Sequence, residues 1–151
     1  MTLDEISNLV NKSTFASIGF IDSNGNPSIR KVFCTWHKGL GLHLISTNTS
    51  SMHVQLLLKN GKSCLYFENC ETFEGVCFHG TVTVHFKHEY KAMLWNEGDE
   101  CYYPKGVDDE DYCIIEFKAD YGRYYRYDGK GDISADELAE YDKDTELKKY
   151  C

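Results

Sequence analysis

The chain has 151 residues, of which 42% are hydrophobic and 26% charged, as expected for one globular domain. Its formal net charge of −8 argues against nucleic acid or an anionic membrane surface as the main partner. No apolar stretch approaches the roughly 18 residues that a membrane span needs, and the acidic N-terminus lacks a signal-peptide pattern. We therefore expect a cytoplasmic protein with no membrane partner.

The seven cysteines are irregularly spaced, and no Cys-x-x-Cys pair occurs. Several lie in apolar strand patterns, where a free cysteine behaves as a small hydrophobic residue, so reduced thiols are the favoured interpretation. A zinc site built from Cys70, Cys77, His79 and His85 is an alternative, although their spacing does not repeat a tetrahedral ligand pattern.

The first half of the chain predicts a capped helix, a hairpin and a strand–turn–helix unit. Thr2 and Glu5 have the spacing of a capping box. Dense turn chemistry at 22–27 separates two extended segments and predicts a β-hairpin. The next strand ends near Thr47, and a helix follows directly. The predicted bounds are 3–11 and 50–60 for the helices and 14–21 and 28–36 for the hairpin strands.

The second half predicts more strands than helices. The alternation over 76–86 is typical of a long half-buried strand, and Gly80 at its centre indicates a bend or bulge. Six or seven strands with hairpin connections predict a mainly β fold, a small antiparallel barrel. One domain is expected, with its core over about 3–127 and an acidic helix or tail over 128–151. The other predicted elements are strands at 63–69, 112–117 and 122–127, a helix at 88–96, a solvated acidic loop at 97–111 and a capped helix beginning at 134–137.

The segment 42–58 is the most informative part of the chain. A short apolar run ends in six consecutive small polar residues, Ser46 to Ser51, and a helical pattern follows at once. Hydroxyl groups, unpaired first-turn N–H groups and the helix dipole together suit a phosphate. The alternative is an ordinary Ser/Thr helix cap.

Three basic side chains are candidates to assist this turn. Arg30 and Lys31 lie on the strand expected beside it, and arginine is well shaped for bidentate phosphate contact. Alternation places Arg30 on one face with Val32 and Lys31 on the other, and an exposed strand edge is the alternative role. His53 falls in the first turn of the following helix. There it either contacts the phosphate, which would favour its protonated form, or is an ordinary exposed histidine.

No catalytic triad spacing, Gly-x-Gly-x-x-Gly motif or P-loop motif is present. Four sequence blocks, by their order and spacing, instead resemble the pyridoxamine-phosphate-oxidase-like, FMN-binding split-barrel family, and in particular its general-stress-protein subgroup. The resemblance covers about residues 3–127. The blocks are 15–20 with 25–27 and 30–32; 45–57 with 59–61; 76–82; and 94–95 with 102–112 and 122–125.

The resemblance implies a six-stranded antiparallel split β-barrel with Greek-key-like connections and short flanking helices. It also implies a homodimer with FMN at the interface, acting as an FMN-dependent oxidoreductase on an unidentified small-molecule substrate or electron donor. No catalytic residue is assigned. The cofactor-binding residues carried over by position are Arg30, Lys31, Val32, Ser46, Thr47, Asn48, Ser51, Met52, His53, Trp95 and Tyr124.

Alternatives to a reductase stay open within the resemblance. They are a non-enzymatic flavin-binding stress or sensor protein, a nitro-group reductase, and a haem protein with His53, His79 or His85 as axial ligand. Two departures from the family pattern also matter. Met52-His53 stands where a basic pair is usual, so one full cation is lost. The acidic segment after residue 127 replaces the Arg/His segment that holds substrate in true pyridoxamine-phosphate oxidases, so vitamin B6 oxidation is not expected.

Overall fold

The computed structural model describes residues 1–34 and 36–149. In these residues one antiparallel sheet dominates, and four α-helices and a short 3-10 helix at Asp99–Cys101 flank it. The α-helices are α1 (Leu3–Lys12), α2 (Met52–Lys59), α3 (His88–Leu94) and α4 (Ala135–Asp142). The strands are β1 (Phe15–Ile21), β2 (Pro27–Phe33), β3 (Trp36–Lys38), β4 (Leu42–Asn48), β5 (Lys62–Asn69), β6 (Glu74–His85), β7 (Tyr112–Arg126), β8 (Gly129–Ile133) and β9 (Leu147–Lys149).

Local signals at the N-terminus act as predicted. Thr2 Oγ1 accepts a hydrogen bond from Glu5 N, and Glu5 Oε2 accepts one from Thr2 N, so the capping box is formed. The β1–β2 hairpin is closed by Asp22, whose Oδ1 accepts from the backbone N–H groups of Asn24 and Asn26. Gly25 takes a φ of 79° in this turn, a conformation that glycine adopts without strain.

The sheet order is β2-β1-β5-β6-β7-β4-β3-β9, with β8 paired to β7. The register between β6 and β7 shifts between His79 and Gly80, so the predicted bulge at Gly80 is confirmed. A Cβ at Gly80 would lie 2.0 Å from the backbone oxygen of Lys118, so only glycine allows this close approach. The bulge lets the sheet curl until β2 contacts β4, although no backbone pairing joins those two strands in the described chain.

This curled sheet is an open barrel, so the predicted mainly β, split-barrel class is confirmed, with nine described strands instead of six or seven. Its concave face and α2 enclose the main core, which includes Phe67, Phe78 and Phe117. A second, smaller core lies between α3, β4 and β7 around Leu94 and Tyr112. No helix in the described chain has both the length and the apolar character to cross a membrane.

The sequence-based bounds need three corrections. The two strands predicted at 112–117 and 122–127 form one strand, because residues between them still pair with the Gly80 region of β6. The strand predicted at 28–36 ends at Phe33, and Trp36 begins β3; Thr35 lies outside the described residues. The segment predicted as a helix or tail also contains β8 and β9. Both are short edge strands, β8 rich in glycine and charge and β9 with two lysines in three residues, so they carry no alternating apolar pattern.

Candidate functional site

The polar turn and the β2 cation meet across the unpaired seam between β2 and β4. The turn runs from the end of β4 to the first residue of α2. On either side of it, Thr47 Oγ1 of β4 lies 3.3 Å from His53 Nε2 of α2. Arg30 on β2 is near enough to His53 to lower its pKa by charge repulsion. Folding therefore brings together three of the predicted residues, which come from β2, β4 and α2.

His53 is a buried neutral histidine. Its side chain is 1% exposed, so the exposed-helix alternative is wrong. Removal from water lowers the pKa of His53 to about 4, with a further contribution from the Arg30 charge. Nδ1 is buried and has no hydrogen-bond partner among the described residues. An unpaired buried ring nitrogen is costly, which suggests that a bound group completes this site.

Asp111 holds the turn in place from the β7 side. Its Oδ1 accepts from the backbone N–H of Ser50 at 2.8 Å, and its Oδ2 accepts from the side-chain amide of Asn48 at 2.9 Å. The backbone oxygen of Asp111 accepts from Thr49 N at 2.7 Å. Hydrogen bonds from Asn48 and Ser50 lower the pKa of the Asp111 carboxyl. Together with Ser51 N, which donates to the Asn48 backbone oxygen at 3.1 Å, three turn N–H groups are thus already engaged within the chain.

Asp111 is not among the residues that the sequence predicts for the site, since it falls in the predicted acidic loop at 97–111. Its role depends on the pairing of β4 with β7, in which Asn48 lies opposite Tyr112. A local pattern cannot show that pairing, because about 60 residues separate the two strands. The only sequence signal is that Asp111 immediately precedes a strong apolar strand.

A few groups near the turn are available to bind an anion. Ser51 is the N-cap of α2, and its side chain makes no capping hydrogen bond. The first-turn N–H groups of a helix have no intrahelical acceptor. Arg30 is exposed and forms no ion pair with any residue in the described ranges. Together with the half-buried Thr47, these groups fit a phosphate ester at the end of β4. The predicted Ser46 is on the opposite face of β4, since it pairs with Ile114 of the second core.

Several predicted site residues lie elsewhere in the protomer. Lys31 points to the opposite face of β2, with Nζ 5.0 Å from the centre of the Phe15 ring. It lines a separate cleft of about 580 Å³ beside α1. Val32 is buried in the main core, and Met52 is 73% exposed. None of these three side chains joins the contact between Arg30, Thr47 and His53.

Of the two aromatic residues carried over from the resemblance, Trp95 lies one layer behind the turn, because it packs on Tyr103, whose hydroxyl donates to Asn48 Oδ1 at 3.5 Å, whereas Tyr124 lies towards the far end of β7. Trp95 packs in the second core, with its ring 5.3 Å from that of Tyr112 and 6.1 Å from that of Tyr103. Tyr124 lies on β7 opposite Gly131, where the missing side chain makes room for its ring.

The histidines considered as metal or haem ligands are engaged otherwise. His79 stacks on Tyr121 with ring centres 4.8 Å apart. His85 stacks on Tyr90 at 3.9 Å, and its Nε2 lies 3.1 Å from Glu116 Oε2. Within the described residues no group of three or more His, Cys, Asp or Glu side chains is arranged to hold a metal ion, so the alternative zinc site does not assemble.

A curled antiparallel sheet with an anion-suited turn between β4 and α2 defines a split-barrel protein. The family model described as pyridoxamine 5'-phosphate oxidase like matches residues 5–139, and the chain belongs to that family. This result confirms the resemblance found in the sequence. None of the curated proteins compared with the chain gives a significant match.

Solved structures agree with this assignment. A protein from Clostridium acetobutylicum, described as related to general stress protein 26 of the pyridoxinephosphate oxidase family, is 39% identical, with a TM-score of 0.81. The match covers 90% of this chain and 96% of that one. General stress protein 26 from Bacillus anthracis is 13% identical (TM-score 0.68, 81% of this chain and 92% of that chain) and supports the fold alone.

A haem-binding protein from Mycobacterium smegmatis shares the fold at 11% identity, with a TM-score of 0.73. The match covers 91% of this chain and 60% of that protein. At this identity the similarity concerns the fold and does not extend to the ligand. The choice between flavin and haem therefore has to be argued from the residues of this chain.

Proposed function

We propose that this protein is a flavoprotein that binds FMN and acts as a reductase of a small molecule. The proximity of the Arg30 charge to His53, whose Nε2 lies 3.3 Å from Thr47 Oγ1, across the open seam of the barrel, carries this proposal. A cation, a hydroxyl group and a helix N-terminus near one another would suit a phosphate ester. The family assignment adds independent support.

The residues of the chain would hold the two ends of FMN differently. Arg30, Ser51 and the first turn of α2 would bind the phosphate, and the backbone of β2 near Val32 would lie along the ring. His53 would contribute a hydrogen bond rather than a charge, because its low pKa leaves it neutral at physiological pH. When bound, the flavin supplies hydride or electron transfer, and the protein supplies orientation and exclusion of water.

We propose further that the protein works as a homodimer, with the second copy completing the flavin site. Phe15, Ile29 and Phe33 are 45%, 70% and 57% exposed on one face of the β1–β2 hairpin. The rings of Phe15 and Phe33 lie 4.7 Å apart. A patch of three large apolar side chains favours burial against another surface. A dimer would also explain how Tyr124, which lies towards the far end of β7, could contact the cofactor.

The cofactor proposal is tested by a visible spectrum of the purified protein and by titration with FMN and riboflavin. Flavin bands and a clear preference for FMN are expected, because the phosphate contacts supply much of the affinity. Equal affinity for the two flavins would remove the phosphate site from the proposal. A Soret band in place of flavin bands would instead support the haem alternative.

Sedimentation of the wild type and of Phe33→Glu tests the dimer. The wild type should sediment as a dimer at micromolar concentration, and the variant as a monomer, because the new charge would be buried without a partner. Phe73→Glu is the matched control, since Phe73 is 67% exposed in a turn away from the patch. A monomeric wild type that retains flavin would overturn the dimer proposal.

A further inference from the structure

Two thiols lie together on the convex face of the sheet. Strand pairing places Cys64 of β5 opposite His79 of β6, and Cys77 of β6 opposite Tyr66 of β5. Cys64 and Cys77 are therefore diagonal neighbours on one face, and their thiols interact. Both side chains are half-buried, and both cysteines are free. This face is the one opposite to that of Arg30.

The Cys64 sulfur occupies a space that a glycine provides. Gly19 of β1 pairs with Cys64, and a Cβ at Gly19 would lie 2.5 Å from the sulfur. The sulfur borders a depression of about 220 Å³ whose walls include Lys62 and His79. This volume suits a small molecule rather than a nucleotide-sized ligand. A cysteine beside a basic residue and an open depression has the surroundings of a reactive thiol.

The electrostatics favour Cys64 as the thiolate of the pair. Interaction with the Cys77 thiol and, to a smaller extent, a hydrogen bond with the Gly19 backbone lower the pKa of Cys64 to about 6, although burial opposes this. The same interaction and burial raise the pKa of Cys77. The other titratable or charged groups on this face include Lys62, Tyr66 and Glu68 of β5, His79 of β6, Lys31 of β2, Lys118, Tyr121, Arg123 and Tyr125 of β7, and Lys130 and Asp132 of β8.

We propose that Cys64 and Cys77 form a redox-active thiol pair that reacts with a small hydroperoxide. The Cys64 thiolate attacks the terminal oxygen, so an S–O bond forms, the O–O bond breaks, and the alkoxide leaves as an alcohol with a proton from solvent. The Cys77 sulfur then attacks the sulfenic sulfur of Cys64. An S–S bond forms, and the S–O bond breaks with release of water. Two thiols and one hydroperoxide thus give one disulfide, one alcohol and one water.

The test is oxidation of the native protein with one equivalent of hydrogen peroxide, followed by alkylation, unreduced digestion and mass spectrometry. A protease that cleaves after glutamate separates the relevant cysteines, because Glu68, Glu71 and Glu74 lie between them. A peptide linking Cys64 to Cys77 is expected. Cys70 and Cys101 are exposed thiols in the same molecule and serve as internal controls.

In Cys77→Ala the disulfide cannot form, so dimedone should trap Cys64 as its sulfenic acid; Cys77→Ser serves if the alanine variant does not fold. Oxidation of Cys70 or Cys101 while Cys64 and Cys77 stay reduced would overturn the proposal.

Alkylation of the unoxidised wild type provides a second readout. Because interaction with Cys77 lowers the pKa of Cys64, the thiolate fraction of Cys64 at pH 6 is raised. Cys64 should therefore react with iodoacetamide severalfold faster than the exposed Cys70 at pH 6. Equal or slower reaction would remove the thiolate from the proposal. Neither readout depends on flavin binding.

Discussion

The carboxylate of Asp111 accepts a hydrogen bond from the backbone N–H of Ser50 at 2.8 Å, and so an acidic residue holds the turn proposed to bind a phosphate. Asp111→Ala should lower the free energy of unfolding by about 1–3 kcal/mol, because the Ser50 N–H and the Asn48 amide lose their acceptor. Urea unfolding measures this, with Glu110→Ala as an exposed neighbouring control. A loss no larger than in the control would show that the turn is ordered without Asp111.

Arg30→Ala should weaken FMN binding by about 1.5–3 kcal/mol, the range for hydrogen bonds to a charged group. Riboflavin binding should hardly change, because riboflavin lacks the phosphate. Titrations of both flavins measure the difference. Lys59→Ala is the charge-matched control, since Lys59 lies at the far end of α2. An unchanged FMN affinity would return Arg30 to the role of an exposed strand residue.

The low pKa of His53 predicts loss of stability in acid. Its pKa is about 4 in the folded chain and about 6.5 when unfolded, so between these values the unfolded chain binds more protons. The contribution of His53 to the free energy of unfolding is fully present above about pH 6.5 and decreases as the pH falls towards 4. At pH 5 the loss from His53 is about 2 kcal/mol.

Urea unfolding at pH 7 and pH 5 tests this prediction. The difference between the two pH values should be about 2 kcal/mol smaller in His53→Gln than in the wild type. Any constant cost of the substitution cancels in this comparison. His43, which is fully buried and has a pKa of about 3, keeps its own acid sensitivity in both proteins. Equal differences would mean that His53 titrates normally in the folded chain.

His53→Lys tests the departure from the family pattern. At pH 8 the wild-type His53 is neutral, whereas a lysine would stay charged beside the phosphate. The ratio of FMN affinity to riboflavin affinity should rise severalfold. Without flavin the variant should melt at a lower temperature, because a buried cation near Arg30 lacks a partner. A ratio identical to that of the wild type would place the phosphate away from residue 53.

Asp142 joins the C-terminal segment to the barrel. Its carboxylate accepts from the backbone N–H groups of Leu40 and Gly41 at 2.8 and 2.7 Å. Asp142→Ala should therefore cost about 1–3 kcal/mol in urea unfolding, and Asp144→Ala, which changes an exposed turn residue, should cost far less. If the two variants lose equal stability, residues after β8 contribute little to the folded domain.

The sequence alone was sufficient for features that depend on neighbours in the chain. The Thr2–Glu5 capping box, the turn closed by Asp22 and the bulge at Gly80 rest on side chains or backbone freedom at the element itself. The ordered blocks also identified the family, because turn and helix residues recur at fixed spacing. The strand–turn–helix unit at Ser46–His53 was recognised for the same reason.

The tertiary structure determines the contacts between residues on strands that are distant in the chain. Pairing of β4 with β7 brings Asp111 to the turn, and pairing of β5 with β6 joins Cys64 to Cys77. Curling of the sheet sets Arg30 beside His53 and removes that histidine from water. Burial and charge proximity are properties of the packed chain, so the protonation states of His53 and Cys64, and the chemistry proposed for each, depend on the packing of the curled sheet.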